Sequence, residues 1–449
     1  MPTVGCLWVL IWKPYIRSSA TRGTTQAIEE AGEEQKESEM DYRSCKMMTA
    51  IGWVLTIAST ACAQMLEPTR DHALTLIARG RRSNAGLNRQ PFFDYIITPH
   101  AVIAKDKVYC AFQNDKGQPL VMVYDLVAKT ATGPVTASTF GLGDDDHGNP
   151  ALHVDTKGHV HVFYGCHGGA MKHSRSVKPC EIDEWAEQIS PTPRATYPQV
   201  MELADGTVCL FYRAGGHIMP WTMRTSTDDC TTWSKGTLII EMRLKPPDPR
   251  AGAYCHFFPG SDGKTIHCFW NFKDDDPRRR PKEYAHLNEA VYRYNIYYVQ
   301  RDADGTWRNA ADEPITLPVS KAEADAKCMV FDSSKKFAYP VRQAVDSRNR
   351  PYVLISTGVR DWARKEYTVI PMRPNYATLR GQTWSLADEL PKDWPPEVRT
   401  VIQARGYEAF GDLSRGRWFI FYRYLTSEET GETGIFLHDE KGNYAVQSP

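Results

Sequence analysis

An internal repeat constrains this 449-residue chain more than any other feature. Six segments couple a polar turn, usually carrying Gly or Asn, to a run that ends in large apolar residues: KDKVYCAF (105–112), DTKGHVHVFY (155–164), LADGTVCLFY (203–212), SDGKTIHCFW (261–270), DSRNRPYVLIS (346–356) and LSRGRWFIFY (413–422). Short apolar segments (PALHV, YPQVMEL, YCHFF, VRQAV, YEAF) stand before five of the turns, so each unit reads as a tight hairpin. WTMRTS (221–226) and NIYYVQR (295–301) supply third strands. Blades of four strands take roughly 40 to 50 residues, and the spacing of the repeats fits such blades with loop insertions. The expectation is an all-β chain forming a single β-propeller, with seven blades if about 385 mature residues are divided by roughly 50 to 55. A β-sandwich does not explain the period. Helical signal is confined to EIDEWAEQI (181–189) and KAEADAK (321–327), one to three turns each.

STDDCTTW (226–233) fits the Asp-box pattern S-x-D-x-G-x-T-W with Cys230 in the glycine position, and RDADGTW (301–307) resembles a degenerate copy. In such a turn Ser and Asp side chains pin the backbone while Trp packs between blades. Asp228 is therefore assigned to structure and not to chemistry.

Residues 1–64 read as an N-terminal extension and signal peptide, and 65–449 as the propeller. The acidic run AIEEAGEEQKESE gives way after Met40 to Arg43, Lys46, the apolar run MMTAIGWVLTIAST and then ACAQ, which favours cleavage after Ala63. Lipid modification of Cys62 is the second option. The expected location is outside the cytoplasm, secreted, periplasmic or lipid-anchored, with no membrane span because the apolar run is too short. Three of the eleven cysteines (Cys6, Cys45, Cys62) fall in this leader; the remaining even number is compatible with disulfides or with buried thiols. The 54 basic and 54 acidic residues cancel, which gives no electrostatic case for nucleic acid. Twelve Trp and 22 Tyr suit strands and also sugar surfaces.

Placing the repeats in register makes Gly158, Gly206 and Gly263 equivalent turn residues. Asn149, Tyr197 and Tyr254 then start the innermost strands, and Tyr164, Tyr212 and Trp270 end the second strands. Both sets fall at the end away from the turns. His147 and His167 bracket one hairpin and reach the same rim, where imidazoles can exchange protons near neutral pH. Arg213 follows Tyr212 and points to the opposite face. Arg224, on the next strand, is the guanidinium chosen for a substrate carboxylate, which it can bind as a fork. His153, His159 and His161 are assigned to strand surfaces, and Asp144 to Asp146 to a solvated loop, with a cation site as the second option. In YCHFFPGSDGKTIHC a turn centred between Ser261 and Asp262 sets His256 opposite His267 and Cys255 opposite Cys268. The two histidines are candidates for a structural metal ion, Zn or Ca, with further ligands from elsewhere.

DHGNPAL around His147, FYGCHGG around His167 and FYRAGG with Tyr212 make the chain resemble BNR-4 repeat proteins, which include the β-propeller ulvan lyases of marine bacteria. The resemblance covers roughly residues 85–440. It implies a seven-bladed propeller that cleaves a sulfated rhamnose–uronate polysaccharide by β-elimination. It implies His147 and Tyr212 as the catalytic pair, His167 and Arg224 as binding and neutralising residues, and Tyr254 as a further contact; Asn149 joins them from the register. The chemistry needs a neutralised carboxylate, a base for the C5 proton and an acid for the departing O4. No cofactor is required. The expected partner is an acidic polysaccharide, and the expected state a monomer. The alternatives are a sialidase-like propeller hydrolase and a non-catalytic carbohydrate-binding propeller.

Overall fold

The structure is a computed structural model. It describes residues 96–387 except 115, 129, 144, 188–189, 244–249, 277–291, 335, 346–348, 361–368 and 373–375, together with the strands Arg79–Gly80, Tyr407–Asp412, Arg417–Ser427 and Glu432–Asp439. The leader expected over residues 1–64 lies outside the described residues.

Strands dominate, and they form antiparallel meanders in chain order. The first comprises Ala101–Ala104, Lys107–Gln113, Pro119–Asp125 and Thr130–Thr136; the second Ala151–Val154, Val160–Tyr164, Lys172–Ser176 and Trp185–Glu187. The third is Thr196–Glu202, Val208–Arg213, Trp221–Ser226 and Thr237–Glu241; the fourth is built on Ala251–Pro259, Ile266–Asp274 and Tyr292–Arg301. A fifth is built on Phe337–Val345 and Pro351–Arg360, and a sixth on Tyr407–Asp412, Arg417–Ser427 and Glu432–Asp439. Arg79–Gly80 pairs with the last of these strands. Among the described residues there are thus six sheets, one fewer than the length suggested.

Each repeat found in the sequence supplies the second strand of one sheet. The turns follow from backbone preference: Gly158, Gly206 and Gly263 all take positive φ (99°, 83° and 65°), where a Cβ is disfavoured. Asn349 fills the equivalent turn of the fifth sheet at φ 60°, a conformation Asn tolerates better than most residues. Consecutive innermost strands lie side by side. Leu152 N–H donates to Pro99 O (2.8 Å) and Val200 N–H to Thr98 O (2.9 Å). The Gln199 amide joins the third sheet to the fourth, donating to Cys255 O and accepting from Phe257 N–H, both at 2.8 Å. Phe211 stacks on Phe257 at 4.0 Å across the same seam. A fully buried side chain of this size contributes about 1.5–3 kcal/mol.

Tyr164, Tyr212 and Trp270 are all buried at equivalent places. Between Ser226 and Trp233, Asp228 accepts from Thr232 N–H (2.9 Å) and Thr232 Oγ1 (2.6 Å), while Ser226 Oγ accepts from Cys230 N–H at 3.1 Å. Cys230 takes φ 61°, and Trp233 meets Phe163 of the second sheet edge-on.

Two expectations change, and one open choice closes. KAEADAK is a helix at Lys321–Lys327, N-capped by Ser320, but the segment around Trp185 is not: Trp185–Glu187 is the outer strand on Ser174–Ser176. Strand pairing overrides its local helical propensity. The eight cysteines after the leader are free thiols, buried except for Cys180, which is half-buried. The fourth-sheet hairpin is in another register: His256 faces Phe269, Phe258 faces His267, and Phe257 faces Cys268. Phe258 stacks on His267, whose Nδ1 is bonded to Tyr298 Oη at 2.7 Å, so the two histidines are not the opposed metal pair expected.

Candidate active site

His147 sits in a single 3₁₀ turn, Asp146–Gly148, capped by Asp145. Asp145 Oδ1 accepts from His147 N–H at 3.0 Å and lies 2.6 Å from His147 Nδ1; Oδ2 lies 2.6 Å from His167 Nδ1. Burial alone would raise the Asp145 pKa. The hydrogen bonds from His147 and His167 and from the backbone outweigh it and hold the carboxyl well below the usual carboxylate range. An ionised carboxylate only accepts, so both rings carry a proton on Nδ1, and the neutral rings present Nε2 as a lone pair. The rings stack at 3.7 Å with planes 3° apart.

Among the described residues, Asp145, His147 and His167 are the metal-capable group, their ligand atoms within 4.8 Å of one another. The ring geometry is that of a hydrogen-bonded clamp. Lone pairs of two parallel rings run side by side, whereas a tetrahedral ion needs them to converge.

Tyr197 closes the other end of His147. Its hydroxyl is 2.8 Å from Nε2 and donates to it in this tautomer. Tyr197 lies at a register irregularity in the innermost strand of the third sheet and takes φ 60°. A bulky residue with positive φ is strained, and such strain gathers where geometry is over-determined. One face of its ring takes the Arg213 guanidinium, 4.8 Å from the centroid. Arg213 is fully buried, and among the described residues none of its three side-chain nitrogens has a hydrogen-bond partner.

Tyr254 lies 5.8 Å from Tyr197, ring to ring. Arg293 donates to its hydroxyl at 3.1 Å, and Lys273 and Arg213 also flank the ring. Burial would raise the phenol, but these three cations outweigh it and bring the pKa down to about 8.

The structure thus brings His147, His167 and Tyr254 to one place, and it separates the others from them. Tyr212 accepts from Arg224 Nε at 3.0 Å, and Arg224 also donates to Ser234 O. The expected acid and the expected carboxylate clamp bind each other on the far side of the strand. The reason is β alternation: Arg213 and Phe211 face Tyr197 and the fourth sheet, so Tyr212 between them points to the opposite face of its sheet. Asn149 is fully buried and donates to Asp146 O at 2.8 Å, holding the turn that carries His147 instead of facing a substrate. The residues not chosen from sequence are Asp145, Tyr197 and Arg213. Tyr197 was already aligned with Tyr254 at the rim, and that alignment was the available signal.

A family model described as "BNR repeat-containing family member" (BNR_4) matches residues 107–384, more than half of the chain. The chain belongs to the BNR_4 family. An ulvan lyase of Alteromonas sp. (strain LOR) is 26% identical over 361 residues, covering 71% of this BNR_4 chain and 72% of that protein. An ulvan lyase of Nonlabens ulvanivorans is 26% identical over 390 residues, covering 78% and 79%. The solved structure of a PL25 ulvan lyase, also solved bound to -[GlcA(1-4)Rha3S]-, superposes with a TM-score of 0.63 at 18% identity, covering 84% of this chain and 95% of the other. That likeness establishes a shared fold for the BNR_4 chain.

Proposed function

We propose that this protein is a polysaccharide lyase that cleaves a uronate-containing sulfated polysaccharide of the ulvan type by β-elimination. The observation that carries the proposal is the hydrogen bond between Tyr197 and His147 beside the buried guanidinium of Arg213, which has no hydrogen-bond partner among the described residues. The PL25 relative solved with -[GlcA(1-4)Rha3S]- supports the substrate class.

Each step uses a named atom. Arg213, buried against the Tyr197 ring, places a positive charge beneath the site, which stabilises the negative charge that develops on the uronate when C5 loses its proton. His147 Nε2, a lone pair because Asp145 holds Nδ1–H, accepts that proton. The electron pair forms the C4–C5 double bond and expels O4, to which Tyr197 delivers its phenolic proton. The resulting imidazolium and phenolate lie 2.8 Å apart, and one proton transfer between them restores the starting state. His167 and Tyr254 complete the wall that orients the sugar. No metal enters these steps.

We also propose that the sheets are blades of a propeller, with Arg79–Gly80 closing the ring on the final strand and the Ser226–Trp233 turn acting as an Asp box. Among the described residues no helix is long and apolar enough to cross a membrane. Export of a monomer that meets its acidic polysaccharide outside the cytoplasm completes the proposal.

The test is incubation with ulvan, alginate and a glycosaminoglycan, following ultraviolet absorbance of the conjugated unsaturated uronate together with new reducing ends. Absorbance should rise on ulvan. New reducing ends without absorbance would mark a hydrolase, and retention without cleavage a binding propeller; either result overturns the proposal.

A further inference from the structure

The elimination leaves His217 without a task, although it stands at the mouth of the site. It lies on the loop between the strands Val208–Arg213 and Trp221–Ser226, with 60% of its side chain open to solvent. Exposed loop side chains ordinarily rotate freely. This one is held. The Lys273 ammonium, 1% exposed, donates to His217 Nδ1 at 3.1 Å and reaches the His217 carbonyl at 3.5 Å. Lys273 also contacts the Asp275 carboxylate, which fixes it as a charged donor. Below the loop, a Cβ at Gly252 would come within 2.9 Å of the His217 carbonyl oxygen, so the loop rests directly on the sheet.

This anchoring sets the tautomer. The ammonium at 3.1 Å is closer to Nδ1 than the Asp275 carboxylate at 3.8 Å, so Nδ1 accepts and the proton is on Nε2, which makes no hydrogen bond to the described residues. His147 and His167 have the reverse arrangement. The His167 and His217 rings stand 6.2 Å apart, so a ligand at this mouth meets a lone pair on one ring and an N–H on the other. The Lys273 charge behind the His217 ring strengthens that donor and favours a charged acceptor.

We propose that His217 is a substrate-binding residue whose Nε2–H donates to an oxyanion on the sugar beside the cleaved bond, with Lys273 and Asp275 as positioning residues. The proposal rests on the lyase assignment of the same site. The oxyanion is a sulfate ester or a uronate carboxylate.

Wild type and His217→Ala are compared on ulvan and on chemically desulfated ulvan. The variant should raise KM on ulvan about tenfold, the loss of one charge-assisted hydrogen bond, with kcat within about twofold. If the partner is sulfate, the difference disappears on the desulfated polymer; if carboxylate, it persists on both. Lys273→Gln should show the same KM defect and add nothing to His217→Ala. Unchanged KM on both polymers overturns the proposal. If wild type cleaves neither polymer, the lyase assignment fails, and the His217 contact is then read from retardation in ulvan-containing gels, where equal mobility of wild type and variant overturns it.

Discussion

The imidazole of His147 lies flat on that of His167, with both Nδ1 atoms turned to the two oxygens of one carboxylate. Asp145 therefore sets two tautomers at once. In Asp145→Asn the amide oxygen can still accept from one ring, but the NH₂ must donate to the other and so moves that ring's proton to Nε2. A histidine–carboxylate pair broken this way in serine proteases loses about 10⁴ in kcat through the wrong tautomer. Asp145→Asn should lower the rate of unsaturated-uronate formation by about 10² or more while the thermal midpoint changes little. A rate within threefold of wild type would remove Asp145 from the mechanism.

Tyr197 and Tyr212 make opposite predictions. Tyr197→Phe removes the hydroxyl beside His147 Nε2, and loss of general acid–base help should cost about 10²–10⁴ in kcat. Tyr212→Phe removes only the acceptor for Arg224, a loss of about 0.5–1.5 kcal/mol of stability. Its activity should stay within a few-fold. Rates and denaturant midpoints of the two variants decide the matter, and a dead Tyr212→Phe with a live Tyr197→Phe would reverse the assignment.

Residue pattern made the fold legible because turn chemistry repeats. Glycine at 158, 206 and 263 marks the same left-handed turn in three sheets, and counting from it places every second strand. The same count set Tyr197 and Tyr254 at equivalent positions, and their rings lie 5.8 Å apart. It failed one step later, at Tyr212, because period-two alternation says that Tyr212 and Arg213 face opposite ways without saying which way is the site. Asp145 was hidden for another reason: a carboxylate in an acidic loop looks solvated until the fold brings His167, 22 residues on, to its second oxygen. The His256–His267 register differs because Pro259 pairs with Ile266, which centres the turn between Asp262 and Gly263, one residue later than the turn residues alone suggest.

Arg213 predicts a trade of activity against stability. Among the described residues this fully buried guanidinium has no hydrogen-bond partner and packs on the faces of Tyr197 and Tyr254. Unsatisfied buried donors cost about 1–3 kcal/mol each, and apolar replacements of similar volume are often stabilising. Arg213→Met should raise the thermal midpoint and abolish cleavage. A lowered midpoint would show that the tyrosine faces fully compensate the charge.

Acid sensitivity should come from a second histidine cluster, distant in role from catalysis. His173, His161 and Asp155 form a buried chain, with His161 Nδ1 3.0 Å from His173 Nε2 and His161 Nε2 3.2 Å from Asp155; His153 packs beside them. Burial holds all three pKa values below the ordinary 6.5, outweighing the opposing pull of Asp155 on His161 and His153, with His153 down to about 3. Below pH 6.5 the unfolded chain binds protons at these rings and the folded chain does not, so unfolding is favoured as pH falls. Each ring that stays neutral adds up to about 1.4 kcal/mol per pH unit to that loss, from 6.5 down towards its folded pKa. Asp155, held below its usual range by His161 and the His159 backbone against the opposing effect of burial, adds to the loss at still lower pH. The thermal midpoint should therefore be flat above pH 7 and fall steeply between pH 6.5 and 4. His173→Phe, which keeps the ring packed on Phe163, should make that fall shallower. An equal slope in wild type and variant would place the acid sensitivity elsewhere.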